Sequence, residues 1–383
     1  MRISIKQTDK NIALLKQLAS KDAVKASEAH VALAEFIGPV LQEVINTAPT
    51  LSALFKKFTF NENDSPSIPL DLYTDVTEED YLRVWSQAEV GGMPYNQPTP
   101  TTKELKFSTY RLDSAVAFHK KFAAQSRMDV VGKTMERLAQ EILLKQERNS
   151  AAMLLRALAQ AQTKIKGTDT YHVIRSQEAN TLKLHDFNRM FTLIKRIYAS
   201  WSGGTPSSAR ARGLTDLIVS PEIVQELRAM AYNPINTKAG VTSGTGDGVT
   251  SIALPDEQRK AIYNNAGVPE FYGVNIMEIH ELGIGYKYND LFDFFAGANA
   301  YAGHAGSGTA AFDGATEEIL IGLDLASMDS LLRPVAVDAE NGSEFRVSPD
   351  DQFVARSGKV GFYGALEEGR LILDDRVITG IIV

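Results

Sequence analysis

Three fragments of the chain carry residue types that could do chemistry. Gly132-Lys133-Thr134 has the glycine, lysine and hydroxyl that close a phosphate-cradling loop, in which backbone amides wrap the phosphate and the lysine neutralises it. The first glycine of such a loop is replaced here by Arg127, and the fragment falls inside a helical pattern instead of between strand and helix. Lys133 therefore reads as part of a solvated helix face. Gly306-Ser307-Gly308 followed by Ala311 has loose dinucleotide-loop spacing, but no apolar strand precedes it and FDGATEE follows where a helix should begin. A flexible loop is the plainer reading. His280-Glu281 lacks the second histidine of a zinc helix, and the six histidines show no ligand spacing. There is no Gly-x-Ser-x-Gly elbow. The acidic pairs Glu317-Glu318, Glu367-Glu368 and Asp374-Asp375 would point to opposite faces of a strand, and a turn is the simpler reading of the last two. Arg210 and Arg212 form the best isolated basic pair, read as a solvated loop. No catalytic, metal-binding or cofactor-binding residue is assigned, and the chain reads as a non-enzyme.

Composition narrows the classes further. The 383 residues are 44% hydrophobic and 23% charged, enough for two or three globular domains with a sizeable core. Without a single cysteine, disulfides and thiolate metal sites are excluded. The net charge of -7 argues against a general nucleic-acid binder. No apolar run is long enough to span a membrane, because HVALAEFIGPVLQEVI carries Glu35 and Glu43, and MRISIKQTDKN has no signal-peptide apolar region; a soluble, unexported chain is expected. Charge is uneven: residues 1–60 are net +3 and residues 311–383 net -8. Solvated faces explain this most simply, and head-to-tail attraction between copies is the sharper alternative.

Periodicity then places the elements. In residues 1–60 two short helical patterns, Ile12/Leu15/Leu18 and Phe36/Val40/Val44, are broken by Gly38-Pro39 and have no companion sheet, so an arm is expected. Residues 81–90 and 105–118 read as strands, the second alternating at Tyr110, Leu112, Val116 and Phe118. Between them Gly91, Gly92, Pro94, Asn96, Pro98 and Pro100 cannot form a core. Arms of about 12 residues would give a hairpin of roughly 40 Å, against a radius of gyration of about 21 Å for a compact chain of this length. Such a ribbon is marginal alone and needs cover from another subunit. Residues 127–162 then read as one helix of about 54 Å, with a capping-box-like start at Ser126 and Asp129. A second helix from Asp186 carries the stripe Phe187, Met190, Ile194, Ile197, Trp201. After the loop SGGTPSSARARG, DLIVS leads into a helix capped by Ser220 with Pro221 at its first position. NPINTKAGVTSGTGDGVTS is a long loop and a short helix is expected near 256–263. Strands follow in YGVNIMEI and EEILIGLD, then a β-rich ending.

This order of parts resembles the major capsid protein of tailed double-stranded-DNA bacteriophages, the Hong Kong 97-type α+β fold. The pieces that carry the likeness are WSQAEVGGMPYNQPTPTTKELKF against that family's extended loop, AFHKKFAAQSRMDVVGKTMERLAQEILLKQE against its spine helix, LIVSPEIVQELRAM in its axial domain, and FRVSPDDQFVARSGKVGFYGALEEGRLILDDRVITGIIV against its peripheral-domain strands. The resemblance implies an N-terminal arm at 1–60, a connection at 61–80, the extended hairpin loop at 81–118, a peripheral domain with spine helix at 119–202, an axial domain at 203–338 and return strands at 339–383. It implies self-assembly of hexamers and pentamers into an icosahedral shell around double-stranded DNA, held without sequence-specific contacts. Subunit contacts are expected at Tyr81, Trp85, Met93, Tyr95, Leu105 and Phe107 of the loop and at Ile12, Leu15, Leu18 and Phe36 of the arm. Asn233, Thr245 and Asp247 would lie near the capsomer centre. Interfaces of this obligate type bury about 2,000 Å² or more.

The resemblance also implies partners: a scaffolding protein during assembly, a portal protein at one vertex and a decoration or cement protein, with the virion capsid as location and the host cytoplasm as place of assembly. No membrane contact and no cofactor are implied. Lys103 and Lys106 sit in the loop, but the asparagine and acid of the prototype's covalent crosslink have no match, so crosslinking is not expected. No large scaffolding region precedes the arm, so a separate scaffolding protein and no cleavage are expected. Two other readings remain: an encapsulin compartment of the same fold, and a nucleotide-binding α/β enzyme built on residues 203–330.

Overall fold

The structure, a computed structural model, describes residues 9–20, 22–47, 51–62, 67–69, 104–125, 128–165, 168–197, 213–232, 270–271, 273–304, 307–326, 330–338, 343–350 and 358–383. They form an α+β fold of two compact units. The first gathers Met1–Ile68, Lys106–Ala151 and Leu331–Leu371, and the second Pro69–Leu105, Ala152–Ser330 and Ile372–Val383.

In the first unit, the strand Lys359–Glu368 is the centre of a sheet. One edge pairs along its length with the antiparallel strand Tyr110–His119, from Lys359 opposite His119 to Glu368 opposite Tyr110. The other edge pairs with Phe345–Asp350 and, at its end, with Leu331–Val337 through Glu368 opposite Val335. Lys56–Asn61 extends the sheet in parallel with Leu331–Val337. The period-two alternation of the sequence is kept: Leu112 and Phe118 are buried, and Tyr110 and Val116 pack beside them on the same core. Gly364 sits where a Cβ would come within 2.7 Å of the Phe345 ring and 3.4 Å of Leu138, so ring and helix close over bare backbone.

Against this sheet lies the helix Met128–Gln160, 33 residues long and thus about 50 Å. Val131, Met135, Leu138, Ala139 and Ile142 face Val335, Phe345, Val360, Phe362 and Leu366 in one core. Each of these side chains larger than alanine, fully buried, contributes about 1.5–3 kcal/mol. The expected span of 127–162 is therefore close, while Ser126, the first residue of its expected cap, lies outside the described residues.

The N-terminal segment departs from expectation. Asp9–Leu18 and Ala23–Thr47 are helices, and the second runs unbroken through Pro39. A proline inside a helix costs about 3 kcal/mol, but the buried stripe Leu33, Ile37, Leu41, Ile45 continues on both sides of it and packs on the same core. Tertiary packing outweighs the local break. These residues are part of the first unit, not a free arm.

Ser67–Pro69 and Glu104–Lys106 form a separate two-stranded ladder. The expected strand 105–118 is split, with Phe107, Ser108 and Thr109 between Glu104–Lys106 and Tyr110–His119. The expected strand 81–90, the hairpin tip, the 233–251 loop and the short helix near 256–263 lie outside the described residues.

The second unit holds a mixed sheet in the order Val173–Arg175, Ile378–Ile382, Ile319–Leu323, Asp216–Val219, Val274–Glu278, Glu270–Phe271. Ile378–Ile382 and Ile319–Leu323 are buried at every residue, as predominantly apolar strands covered on both faces should be. The ending therefore does not all return to the first unit: residues 372–383 belong to the second, because VITGIIV is too apolar for an edge or a solvated face. Residues 152–202 also group with the second unit, and 331–338 with the first, so the expected boundaries at 203, 338 and 339 shift. The helices Leu184–Ile197, Pro221–Tyr232 and Lys287–Ala296 flank this sheet's strands in sequence. Phe187, Met190, Ile194 and Ile197 form the buried stripe of the first of these helices, as their spacing requires, and Trp201 lies outside the described residues. Ser220 Oγ accepts the Ile223 amide at 3.2 Å, the expected cap.

Candidate assembly surfaces

The described residues place several large apolar side chains in solvent. On the helix Ala23–Thr47, Phe36 is 48% exposed and Val40, one turn on, is exposed beside it, away from the buried Leu33, Ile37 and Leu41 stripe. Val24 and Val31 on the same helix, Phe58 on the edge strand Lys56–Asn61 and Leu144 on the long helix are also exposed. In the second unit Phe294, on Lys287–Ala296, is 79% exposed, with Ile284 and Tyr286 exposed just before the same helix. Scattered apolar residues on a surface need no explanation. A phenylalanine open by nearly four-fifths on a well-formed helix, with a second aromatic ring 5.6 Å away at Phe295, is a more specific signal of a surface covered by a partner.

The expected interface residues divide sharply. Leu15 and Leu18 are corrected: both are buried in the core of their own unit and have nothing left to offer a neighbour. Their helix packs on its own chain because its apolar stripe is satisfied there. Ile12 is half-buried and Phe36 exposed. Phe107 is half-buried and sets its ring edge-on to Phe60 at 6.4 Å, and Leu105 is half-buried in its short strand. Tyr81, Trp85, Met93, Tyr95, Asn233, Thr245 and Asp247 lie outside the described residues.

Sequence reasoning missed the side chains that brace the first unit. Glu368 is fully buried, and its carboxylate accepts from Arg333 Nε at 2.9 Å, from Gln146 Nε2 at 2.9 Å and from Arg370 at 3.0 Å. The Tyr110 hydroxyl donates to it at 3.3 Å. Arg370 donates onward to Ser150 Oγ at 3.0 Å and Ser52 Oγ at 2.7 Å, with its guanidinium over the Phe55 ring. Burial pulls the Arg333 pKa down while Glu368 opposes that fall, and burial pushes the Tyr110 hydroxyl up. One carboxylate thus ties the N-terminal segment, the strand after the ladder, the long helix and two C-terminal strands together. The clue was present as Arg333 inside the apolar run LLRPVAV. Glu368 is no turn residue: it ends a strand, on the face opposite to Glu367.

In the second unit, Arg175 is 1% exposed and donates to the carbonyls of Ala310 and Ala311 at 3.0 and 2.7 Å and to Glu317 Oε2 at 2.7 Å. Asn289 donates to the carbonyls of Gly314 and Glu317 and accepts from the Ile319 amide, holding Lys287–Ala296 to the sheet. His172 is buried with Nδ1 3.1 Å from the carbonyls of both Asp375 and Ile378 and Nε2 2.8 Å from Thr163 Oγ1. Nδ1 therefore carries the proton, and burial lowers the pKa of the ring.

One constellation has the residue types of an acyl-transfer triad. Ser176 Oγ lies 3.5 Å from His304 Nδ1, and His304 Nε2 lies 4.0 Å from Glu317. The protons run the wrong way. Ser176 is fully buried and donates to the Glu178 carbonyl at 2.6 Å, while His304 Nδ1 sits 2.8 Å from the Ser176 carbonyl and donates to it. The Ser176 hydroxyl is therefore committed to a carbonyl and is not paired with a basic nitrogen. Gly132-Lys133-Thr134 is helical, with Thr134 Oγ1 donating to the Val130 carbonyl at 2.8 Å and Lys133 exposed, so no loop of amides forms there. Ser307 and Gly308 lead into the short strand Ala310–Ala311, not a helix. Among the described residues no cluster of three or more ligating side chains is spaced to hold a metal ion, and no helix is long and apolar enough to cross a membrane.

No family model matches the chain, and no curated protein matches it. Solved structures do. The capsid of a native GTA particle is 11% identical, over 88% of this chain and 91% of that one, with a TM-score of 0.48. The capsid of the cyanophage P-SCSP1u is 13% identical, over 86% of each chain, with a TM-score of 0.45. The holo-SrpI encapsulin complex from Synechococcus elongatus is 9% identical, over 73% of this chain and 75% of that one, with a TM-score of 0.40.

Proposed function

We propose that this chain is a major capsid protein of the Hong Kong 97-type fold, assembling as hexamers and pentamers into an icosahedral shell that encloses double-stranded DNA. The observation that carries the reading is the ladder between Ser67–Pro69 and Glu104–Lys106. The chain leaves it at residue 70 and returns at residue 103, and the tip of the stretch between, with Gly91, Gly92, Pro94, Asn96, Pro98 and Pro100, cannot make a core of its own. The 33-residue helix and the open Phe36 and Phe294 support the same reading, since each is what a subunit built to be covered by its neighbours would present.

The finer features follow as part of the proposal. The loop residues Tyr81, Trp85, Met93, Tyr95 and Leu105 lie over a neighbouring copy, together with Phe36 and Ile12. Asn233, Thr245 and Asp247 stand near the capsomer centre. A scaffolding protein, a portal and a decoration protein act with the shell, which is built in the host cytoplasm and ends in the virion. The net charge of -7 suits a container through which DNA slides during filling. The chain acts by geometry and performs no catalysis. Purified particles decide between this and an encapsulin: extracted DNA supports the viral shell, and a packed enzyme in its place supports the compartment.

A further inference from the structure

The second unit contains a polar cavity that shell assembly does not require. Its volume is about 250 Å³, room for several water molecules, and Glu222, Glu226 and Glu318 line it together with Ile223, Ile284 and Val383. The backbone of Glu318 is pinned by paired hydrogen bonds with Val383, at 3.1 and 2.8 Å. This fixes its side chain toward the first turn of Pro221–Tyr232, where Ser220 bonds to the carboxyl. Glu318 is only 5% exposed, and its Oε1 has no hydrogen-bond partner among the described residues. Glu222 and Glu226 stand one turn apart on the same helix face, and Glu226 spends Oε2 on the Leu182 amide at 3.0 Å. Among the described residues no lysine, arginine or histidine lines the cavity.

Three carboxyl groups surround a partly enclosed space, and the buried one, with an idle oxygen, is neutralised either by a proton or by a bound cation. A metal ion does not suit the arrangement, because these carboxylates do not converge as a coordination cage. An organic cation does. Ile223, Ile284 and Val383 give the cavity an apolar wall on which a hydrocarbon chain can lie while its charged end meets the carboxylates.

We infer that this cavity binds an alkylammonium group, its nitrogen among Glu222, Glu226 and Glu318 and its chain against Ile223, Ile284 and Val383. The group is supplied by a free alkyl amine or by a lysine side chain of a second copy. Burial and the neighbouring Glu222 and Glu226 charges hold the Glu318 carboxyl up at about 7, so a bound cation would draw its proton off.

The test is calorimetric titration of n-butylammonium and of 1,4-diaminobutane into the full chain, at a dilution where light scattering shows a monomer, and again into the self-associated form. Saturable one-site binding is expected. It should release a proton near pH 7 and weaken by about tenfold or more in both Glu318→Gln and Glu222→Gln. Binding to both forms assigns the site to a free amine, and binding to the monomer alone assigns it to a lysine of a neighbouring copy. Glu318→Gln is nearly isosteric, and Glu222 is exposed, so at least one variant reports on a folded chain; a thermal melt verifies each. Absence of saturable binding to the wild-type monomer at millimolar amine, or binding unchanged in both variants, overturns the inference.

Discussion

Arg333 and Glu368, 35 residues apart in sequence, meet through two guanidinium nitrogens at 2.9 Å from one carboxylate oxygen, and both are almost sealed from water. Removing the charge of Glu368 leaves the guanidinium groups of Arg333 and Arg370 buried without a counter-ion. Glu368→Gln should therefore destabilise the first unit by about 3–5 kcal/mol, read as a lowered midpoint in urea unfolding. A loss below about 1 kcal/mol, the size of an exposed pair, would show the cluster to be incidental.

The ionisation of Glu318 gives a pH signature. Its pKa is raised from 4.5 to about 7 by burial first, then by Glu222 and Glu226, against the Ser220 hydrogen bond. The folded chain holds the proton after the unfolded chain has released it, so this group's contribution to stability is complete below about pH 4.5 and is lost as the pH rises to about 7. Glu318→Gln should be neutral at pH 4.5 and stabilising at pH 8 by up to about 3 kcal/mol, measured by unfolding at the two values. Equal effects at both would contradict it.

Exposed aromatics make a separate prediction, in which folding and assembly part company. Phe294 is 79% exposed, so Phe294→Ser should change stability by no more than about 0.5 kcal/mol. The same holds in kind for Phe36→Ser. Both should reduce the yield of large particles in sedimentation while the thermal melt stays in place. Particle yield unaffected by either change would place the subunit contacts elsewhere.

Deleting residues 90–103 tests the excursion from the ladder. A soluble, folded chain that stops at capsomers or smaller species is expected, with normal circular dichroism and no shells in micrographs. Shells of normal size from the deleted chain would show the loop to be dispensable.

Elements with a local signature were legible from the sequence. The long helix carries its own heptad-like stripe from Val131 to Ile142, and Ser220-Pro221 marks a start that needs no tertiary information. Tyr110 to Phe118 alternates because one face of that strand is buried. Contacts between residues distant in sequence leave no local mark. Nothing local says that the stripe continuing past Pro39 packs on one core, or that Leu15 and Leu18 are used up inside their own chain. Glu368 looked like a turn residue because its partners come from residues 146, 333 and 370. The cavity at Glu318 is built from the ends of several separated segments, so no motif announces it. The apolar strand Ile378–Ile382 states that it is buried and not in which sheet, and it pairs with Ile319–Leu323 of the second unit.

The most direct test of the central claim is analytical ultracentrifugation of the purified full-length chain, with electron micrographs of the fastest-sedimenting fraction. Megadalton species that image as closed, icosahedral shells are expected. A stable monomer across the accessible concentration range, with no ring or shell under any condition, would contradict it.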